Sequence, residues 1–218
     1  MGNQTHRISL ELRRLVISLA LQASGQGRFE LLTISPDTTY QVHCKEEVGT
    51  QASGHHEVRF EVRKEKRLII ENEVLYEGGY YDNRFSELFP DHSWVSSSVL
   101  RFGRKDRLPL SQHDEVIVAN ETDQTLTYLR LNAGKYEAFL LFEVQPKSCL
   151  TLNVQPQSDE GRDSSYIGCK GRFDDGNSVA EVAGNFGVRG RYRGRAHYAV
   201  KITNKGVLIS SQEFEALP

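Results

Sequence analysis

His56-Glu57-Val58-Arg59-Phe60-Glu61-Val62-Arg63-Lys64-Glu65-Lys66-Arg67-Leu68-Ile69-Ile70-Glu71-Asn72-Glu73-Val74-Leu75-Tyr76 is the stretch on which the fold turns. Val58, Phe60, Val62, Leu68, Ile70, Val74 and Tyr76 are all even-numbered, and charged or polar residues fill most of the odd positions. Successive side chains of a strand point to opposite faces, so a period of two means one apolar face and one wet face. The pattern predicts two antiparallel strands turning near Lys64-Glu65-Lys66, although neither Gly nor Pro stands there. Upstream, Val42, Cys44 and Val48 share the same parity, and the polar run 49–54 separates them from Val58. A shorter strand around Phe29 to Ile34 precedes a Pro36-Asp37 turn.

Before residue 25 the period changes. Ile8, Leu12, Leu15, Val16, Leu19 and Ala23 recur at helical spacing, and Ser9 is a suitable cap. A helix packed across the first sheet is expected. The same residues also resemble a secretory signal, with Arg13 and Arg14 before an apolar run and small residues up to Gly25. Glu11 sits in the basic region and the run is short, so the helix and a cytoplasmic setting are favoured, with secretion as the alternative. No stretch approaches the 18 apolar residues of a membrane span. The start Met-Gly-Asn-Gln-Thr-His places His6 where a myristoylation signal needs a hydroxyl. Asn3-Gln4-Thr5 and Asn120-Glu121-Thr122 are glycosylation sequons, meaningful only in a secreted chain.

Downstream, Phe85, Leu88 and Phe89 repeat at three and four residues, and Asp82 can cap them. A short central helix ending at Pro90 follows. From Arg101 to His113 the chain is polar and carries Pro109. Beyond it, short apolar runs alternate with turn signals such as Asn132-Ala133-Gly134 and Asp174-Asp175-Gly176-Asn177. The whole reads as mainly β, an antiparallel β-sandwich architecture. The working division is a helix-covered antiparallel unit over 1–98, a linker over 99–105 and a sandwich-like unit over 106–218. A single larger sandwich is the competing reading.

Across 218 residues, 38% are hydrophobic and 26% charged, which suffices for a core and excludes wholesale disorder. The net charge of -2 excludes a general polycation. Its distribution is uneven. Val188 to Ile202 alternates, with Arg189, Arg191, Arg193, Arg195, His197 and Lys201 on one parity and Val188, Tyr192, Tyr198, Val200 and Ile202 on the other. Between Gly184 and Lys205 there are six positive charges and no acidic residue, so the remainder sums to -8. Guanidinium forks suit carboxylate or phosphate. Three answers to this stripe are open: acidic side chains of neighbouring strands (Glu115, Glu121, Glu143 or Glu181), a partner protein or second copy, or a phosphate-bearing ligand such as nucleic acid. The segment 71–91, with a balance of -5, is a further candidate counterpart.

Other chemistries are weaker. Three cysteines, Cys44, Cys149 and Cys169, do not form a disulfide framework, although Cys149 and Cys169 could pair across neighbouring strands. His43, Cys44, His55, His56 and His92 have metal-ligand character, but adjacent strand positions point oppositely. Asp159, Glu160, Asp163, Asp174 and Asp175 match no calcium loop. No G-x-S-x-G, dinucleotide loop or phosphate loop occurs. Trp94, Tyr80, Tyr81 and Tyr128 are candidate sugar-stacking aromatics.

The expectation is therefore a non-enzymatic protein–protein interaction or adaptor module, without cofactor or metal, whose contact surface includes the arginine strand. Nucleic-acid or polyanion binding through the same strand is the alternative. A carbohydrate-binding protein or a hydrolase with an unidentified acidic site comes third.

Overall fold

The computed structural model describes residues 18–19, 29–48, 56–78, 85–104, 113–134, 137–155, 165–186 and 196–213. The chain divides into two compact units. One comprises 1–87 with 94–98, and the other 88–93 with 99–218.

The first unit is built on a five-stranded antiparallel meander: β1 (Ser18–Leu19), β2 (Glu30–Ile34), β3 (Tyr40–Val48), β4 (His56–Lys64) and β5 (Arg67–Gly78), paired in sequence order. Even-numbered Val42, Cys44, Val58, Phe60, Val62 and Ile70 are buried, as their parity requires. Between Ile70 and Leu75 the parity reverses. β5 has 12 residues against the 9 of β4, and three register shifts absorb the excess. Asn72 takes φ 52° between Ile70, opposite Val62, and Glu73, opposite Phe60. The inserted residue turns Leu75 inward, whereas Val74 and Tyr76 are only partly buried and Leu68 is exposed.

The hairpin at Lys64–Arg67 is closed by Glu65 at φ 48° and Lys66 at φ 72°. A two-residue turn with two positive φ values matches the twist of the flanking strands, and it normally uses Asn-Gly. Here two long side chains occupy the left-handed region. Replacing Glu65-Lys66 by Asn-Gly is expected to raise stability by about 1 kcal/mol in urea unfolding.

The expected N-terminal helix lies almost wholly outside the described residues. Its two described residues are strand, not helix: Ser18 pairs with Thr33 and Leu19 with Leu32. Pairing against the open edge of β2 prevailed there over helical spacing. The central helix is one turn, α1 (Phe85–Leu88), stopping before Pro90. Phe85 is buried, with its ring 4.9 Å from Phe29 and 5.7 Å from Tyr76 between centroids.

Further along are β6 (Asp91–Ser96), β7 (Val99–Gly103), β8 (Asp114–Asn120), β9 (Leu126–Ala133), β10 (Ala138–Val144), β11 (Ser148–Val154), β12 (Ser165–Phe173), β13 (Ser178–Phe186), β14 (Ala196–Thr203) and β15 (Gly206–Glu213). They form a six-stranded sheet, order β13-β12-β9-β10-β7-β6, and a four-stranded sheet, order β11-β8-β14-β15. Pairing is antiparallel except between β8 and β14, which run parallel. One buried cluster draws Leu126, Leu131, Phe139 and Ile167 from the larger sheet and Val116, Val118, Leu152, Val200 and Ile202 from the smaller.

The stretch 99–105 was expected as a linker, and its first five residues correct that expectation. They are β7, with Val99, Leu100 and Phe102 buried. The polar residues from Arg104 onward obscured a five-residue strand whose Arg101 finds a buried partner.

Glycine at position 171 is required by close approach. A Cβ there would meet the Tyr128 carbonyl oxygen at 2.7 Å and Leu129 Cδ1 at 3.0 Å. Gly171→Ala must push the β9 backbone away, and a loss of about 1–3 kcal/mol is expected from urea unfolding.

Candidate functional site

The arginine stripe falls into two parts. Arg189, Arg191, Arg193 and Arg195 lie outside the described residues. His197 and Lys201 are on β14, with the outward orientation that the alternation predicts, while Tyr198, Val200 and Ile202 are buried. Each described basic residue meets a carboxylate. His197 Nδ1 is 3.1 Å from Glu115 Oε2, and Lys201 Nζ is 3.7 Å from Glu121 Oε1. The parallel register places His197 directly opposite Glu115, and the backbone N–H of Glu121 donates to the Ile202 carbonyl at 2.8 Å. The acidic stretch 71–91 is placed in part, but its expected counterpart, the arginine run, is not among the described residues.

Strand pairing fixes what surrounds these ion pairs. Across the outer face of the four-stranded sheet, Thr151, Ile117, Ala199 and Ser210 form the middle row. Cys149, Ala119, Lys201 and Leu208 form the row on one side, and Asn153, Glu115 and His197 lie in the row on the other. Leu208 is 63% exposed. The centre is uncharged, and charged residues stand at its margins.

A second polar group lies in the first unit. A hollow of about 300 Å³ is lined by Glu30, Leu32, Gln41, His43, Glu61 and Arg63. His43 Nε2 is 2.9 Å from Glu30 Oε1, its Nδ1 is 3.9 Å from Glu61 Oε1, and Arg63 Nε is 3.7 Å from the same Glu61 oxygen. Alternation alone put His43 on this outer face. Its carboxylate partners come from β2 and β4, and only the register, Leu32 and Glu61 opposite His43, brings them together. His43 and Arg63 already engage both carboxylates here.

The histidine cluster does not assemble. Cys44 is buried on the face opposite His43, His55 is outside the described residues, and His92 stands on β6, where burial holds its pKa below the ordinary value. Among the described residues no group of three His, Cys, Asp or Glu is placed to hold a metal ion. Asp175 serves the turn: it accepts from Asn177 N at 2.9 Å, Asn177 Nδ2 at 2.8 Å and Gln124 Nε2 at 2.9 Å, and these bonds lower its pKa. Asp159, Glu160 and Asp163 lie outside the described residues. Of the aromatics, Tyr128 is buried, and Trp94 Nε1 donates to Thr33 Oγ1 at 3.0 Å. Tyr80 and Tyr81 are outside the described residues. Among those described, no helix is long and apolar enough to cross a membrane.

All three cysteines are free, so the possible Cys149–Cys169 bridge is absent: they sit on different sheets, Cys149 exposed and Cys169 buried. Burial pushes the Cys169 thiol from 9.0 up to about 11, and it raises Cys44 further still. A thiol reagent at pH 8 is expected to modify Cys149 promptly and the other two only on unfolding. Because its folded pKa is raised, the Cys169 contribution to stability is full below pH 9.0 and is lost as pH climbs through about 11.

The chain matches no protein-family model and no curated protein. An NMR structure of a protein from Eubacterium rectale is 9% identical, with TM-score 0.34 over 50% of this chain and 100% of that one. At that level the likeness assigns neither fold nor activity.

Proposed function

We propose that the chain is a non-enzymatic protein-interaction module. Its second unit is a β-sandwich that offers the outer face of the four-stranded sheet to a partner protein bearing carboxylates, and Arg189, Arg191, Arg193 and Arg195 supply guanidinium groups to the same partner. The carrying observation is Leu208, exposed beside Lys201 on a face whose middle row is uncharged and whose margins hold Lys201 with Glu121 and His197 with Glu115. Charge kept out of the centre and held at the rim is the usual composition of a protein–protein contact. Three free thiols suit the reducing interior of a cell. The six positive charges between Gly184 and Lys205 favour polyanion binding as the second reading. Exposed Leu208 and the uncharged middle row offer nothing to a phosphate, which ranks it below protein.

A photoreactive residue at Ser210 tests this in the source cells. Protein adducts are expected at physiological salt, reduced at least about tenfold by Leu208→Glu and by Arg191→Glu with Arg193→Glu. Nucleic-acid adducts that fall steeply with salt would establish the second reading. No adduct at all would overturn both.

A further inference from the structure

We infer that the chain self-associates through β11, two copies joining edge to edge about a two-fold axis at Thr151. This rests on the edge strand alone and is independent of the outer-face reading. Ser148-Cys149-Leu150-Thr151-Leu152-Asn153-Val154 holds no charge, no proline and no glycine. It pairs residue for residue with β8, from Ser148 opposite Asn120 to Val154 opposite Asp114, without a register shift. Among the described residues, β8 is its one neighbour in the sheet. A flat, regular, uncharged edge presents unpaired backbone groups as a template for another strand.

The other described edges differ, and β1 is only two residues long. β5 carries Arg67, Glu71, Glu73 and Glu77 and three register shifts. β6 opens with Asp91 after Pro90. β13 and β15, edges of the two sheets, lie beside each other. Shortness, charge, bulges and covering are the devices that block edge pairing, and among the described residues β11 has none of them.

The strand is also complementary to itself. Thr151 is its midpoint, so antiparallel pairing about Thr151 matches all seven residues. Residues of one parity then meet: Cys149 faces Asn153 of the second copy, and Leu150 faces Leu152 of the second copy. Leu152 is buried, and Leu150 is only partly buried against the core. Pairing covers the remainder of Leu150 and continues the apolar layer across the axis. No like charges oppose, because the strand has none. A charged partner strand would find no counter-charge, so a second copy is the occupant that the sequence fits.

Sedimentation of the full chain is expected to give a species of twice the 24.7 kDa chain mass at micromolar concentration. Thr151 is exposed, so substitutions there leave the fold intact, as circular dichroism will check. Thr151→Lys sets two ammonium groups opposite each other and is expected to weaken the dimer at least about tenfold. An equal mixture of Thr151→Lys and Thr151→Glu chains restores it, because the register sets unlike charges together. Asn153→Cys gives a disulfide-linked dimer with Cys149. The unaltered chain does not, because its two Cys149 residues stand four positions out of register, about 13 Å along the strands. A monomer at every concentration, a Thr151→Lys dimer as tight as the original, no restoration on mixing, or no linked dimer from Asn153→Cys would each overturn the inference.

Discussion

Arg101→Met is expected to destabilise the second unit by about 3–5 kcal/mol, because it strips the guanidinium from a buried carboxylate. Arg101 Nε donates to Glu137 Oε1, and the two side chains are 13% and 5% exposed. The other carboxylate oxygen, Oε2, accepts from the Gln155 backbone N–H at 2.8 Å. This carboxylate therefore ties β7 to the residue that follows β11. Removing Arg101 leaves the negative charge in a site from which water is largely excluded. Glu137→Gln is expected to cost somewhat less, since Arg101 is the more exposed partner. In urea each single variant should lower the unfolding midpoint by about 1–2 M with an unchanged slope. Arg101→Met combined with Glu137→Leu should recover most of the loss, because paired removal leaves no buried charge. The residue of the effect belongs to the Gln155 N–H, which loses its acceptor. A double variant as unstable as the sum of the singles would show that the pair contributes no coupling.

Asn120→Ala carries the second large effect, expected at about 3 kcal/mol. Asn120 ends β8 with 0% exposure. Its Nδ2 donates to the carbonyls of Gln124, Val144 and Gln145 at 2.8, 3.1 and 3.1 Å. Its Oδ1 accepts from Thr122 N at 3.2 Å and Thr122 Oγ1 at 2.7 Å. One side chain thus serves five backbone or hydroxyl groups and clamps the β8–β9 turn to the end of β10. Asn120→Asp should be worse than alanine, since it sets a buried carboxylate against carbonyl oxygens. Thr122→Val, which removes one hydroxyl, should cost about 1–2 kcal/mol. Thermal unfolding orders the three. The same geometry bears on the sequon Asn120-Glu121-Thr122: the amide nitrogen a glycan would need is fully engaged and buried, so the folded chain accepts no glycan there.

What the sequence made legible was local and periodic. The parity of Val42, Cys44, Val58, Phe60 and Val62 located one face of the first sheet because each strand's alternation is uninterrupted. It failed at Leu68, which a register shift sets opposite Arg63, and again beyond Ile70, where a left-handed residue, Asn72, reversed the phase. No glycine marks that bulge, so nothing in composition announced it. The run Leu15 to Ala23 satisfied a helical spacing, yet Ser18 and Leu19 pair with β2, an instance of tertiary context overriding local pattern. Glu115 and Glu121 were foreseeable as counter-charges for the stripe. That they answer His197 and Lys201 depends on a parallel pairing between strands far apart in sequence, and no local signal encodes it. Arg101 and Glu137, 36 residues apart, were invisible for the same reason.

The parallel pairing of β8 with β14 has a consequence for how the chain is made. His197 lies opposite Glu115, about 80 residues earlier, and β14 stands between β8 and β15 in the finished sheet. As the chain emerges from the ribosome, β8 can pair with β11 soon after it appears. Its other flank, with the inner faces of Val116 and Val118, must wait for Tyr198, Val200 and Ile202. The second unit therefore closes late, and for most of its synthesis it is an open half-sheet that a chaperone has reason to hold.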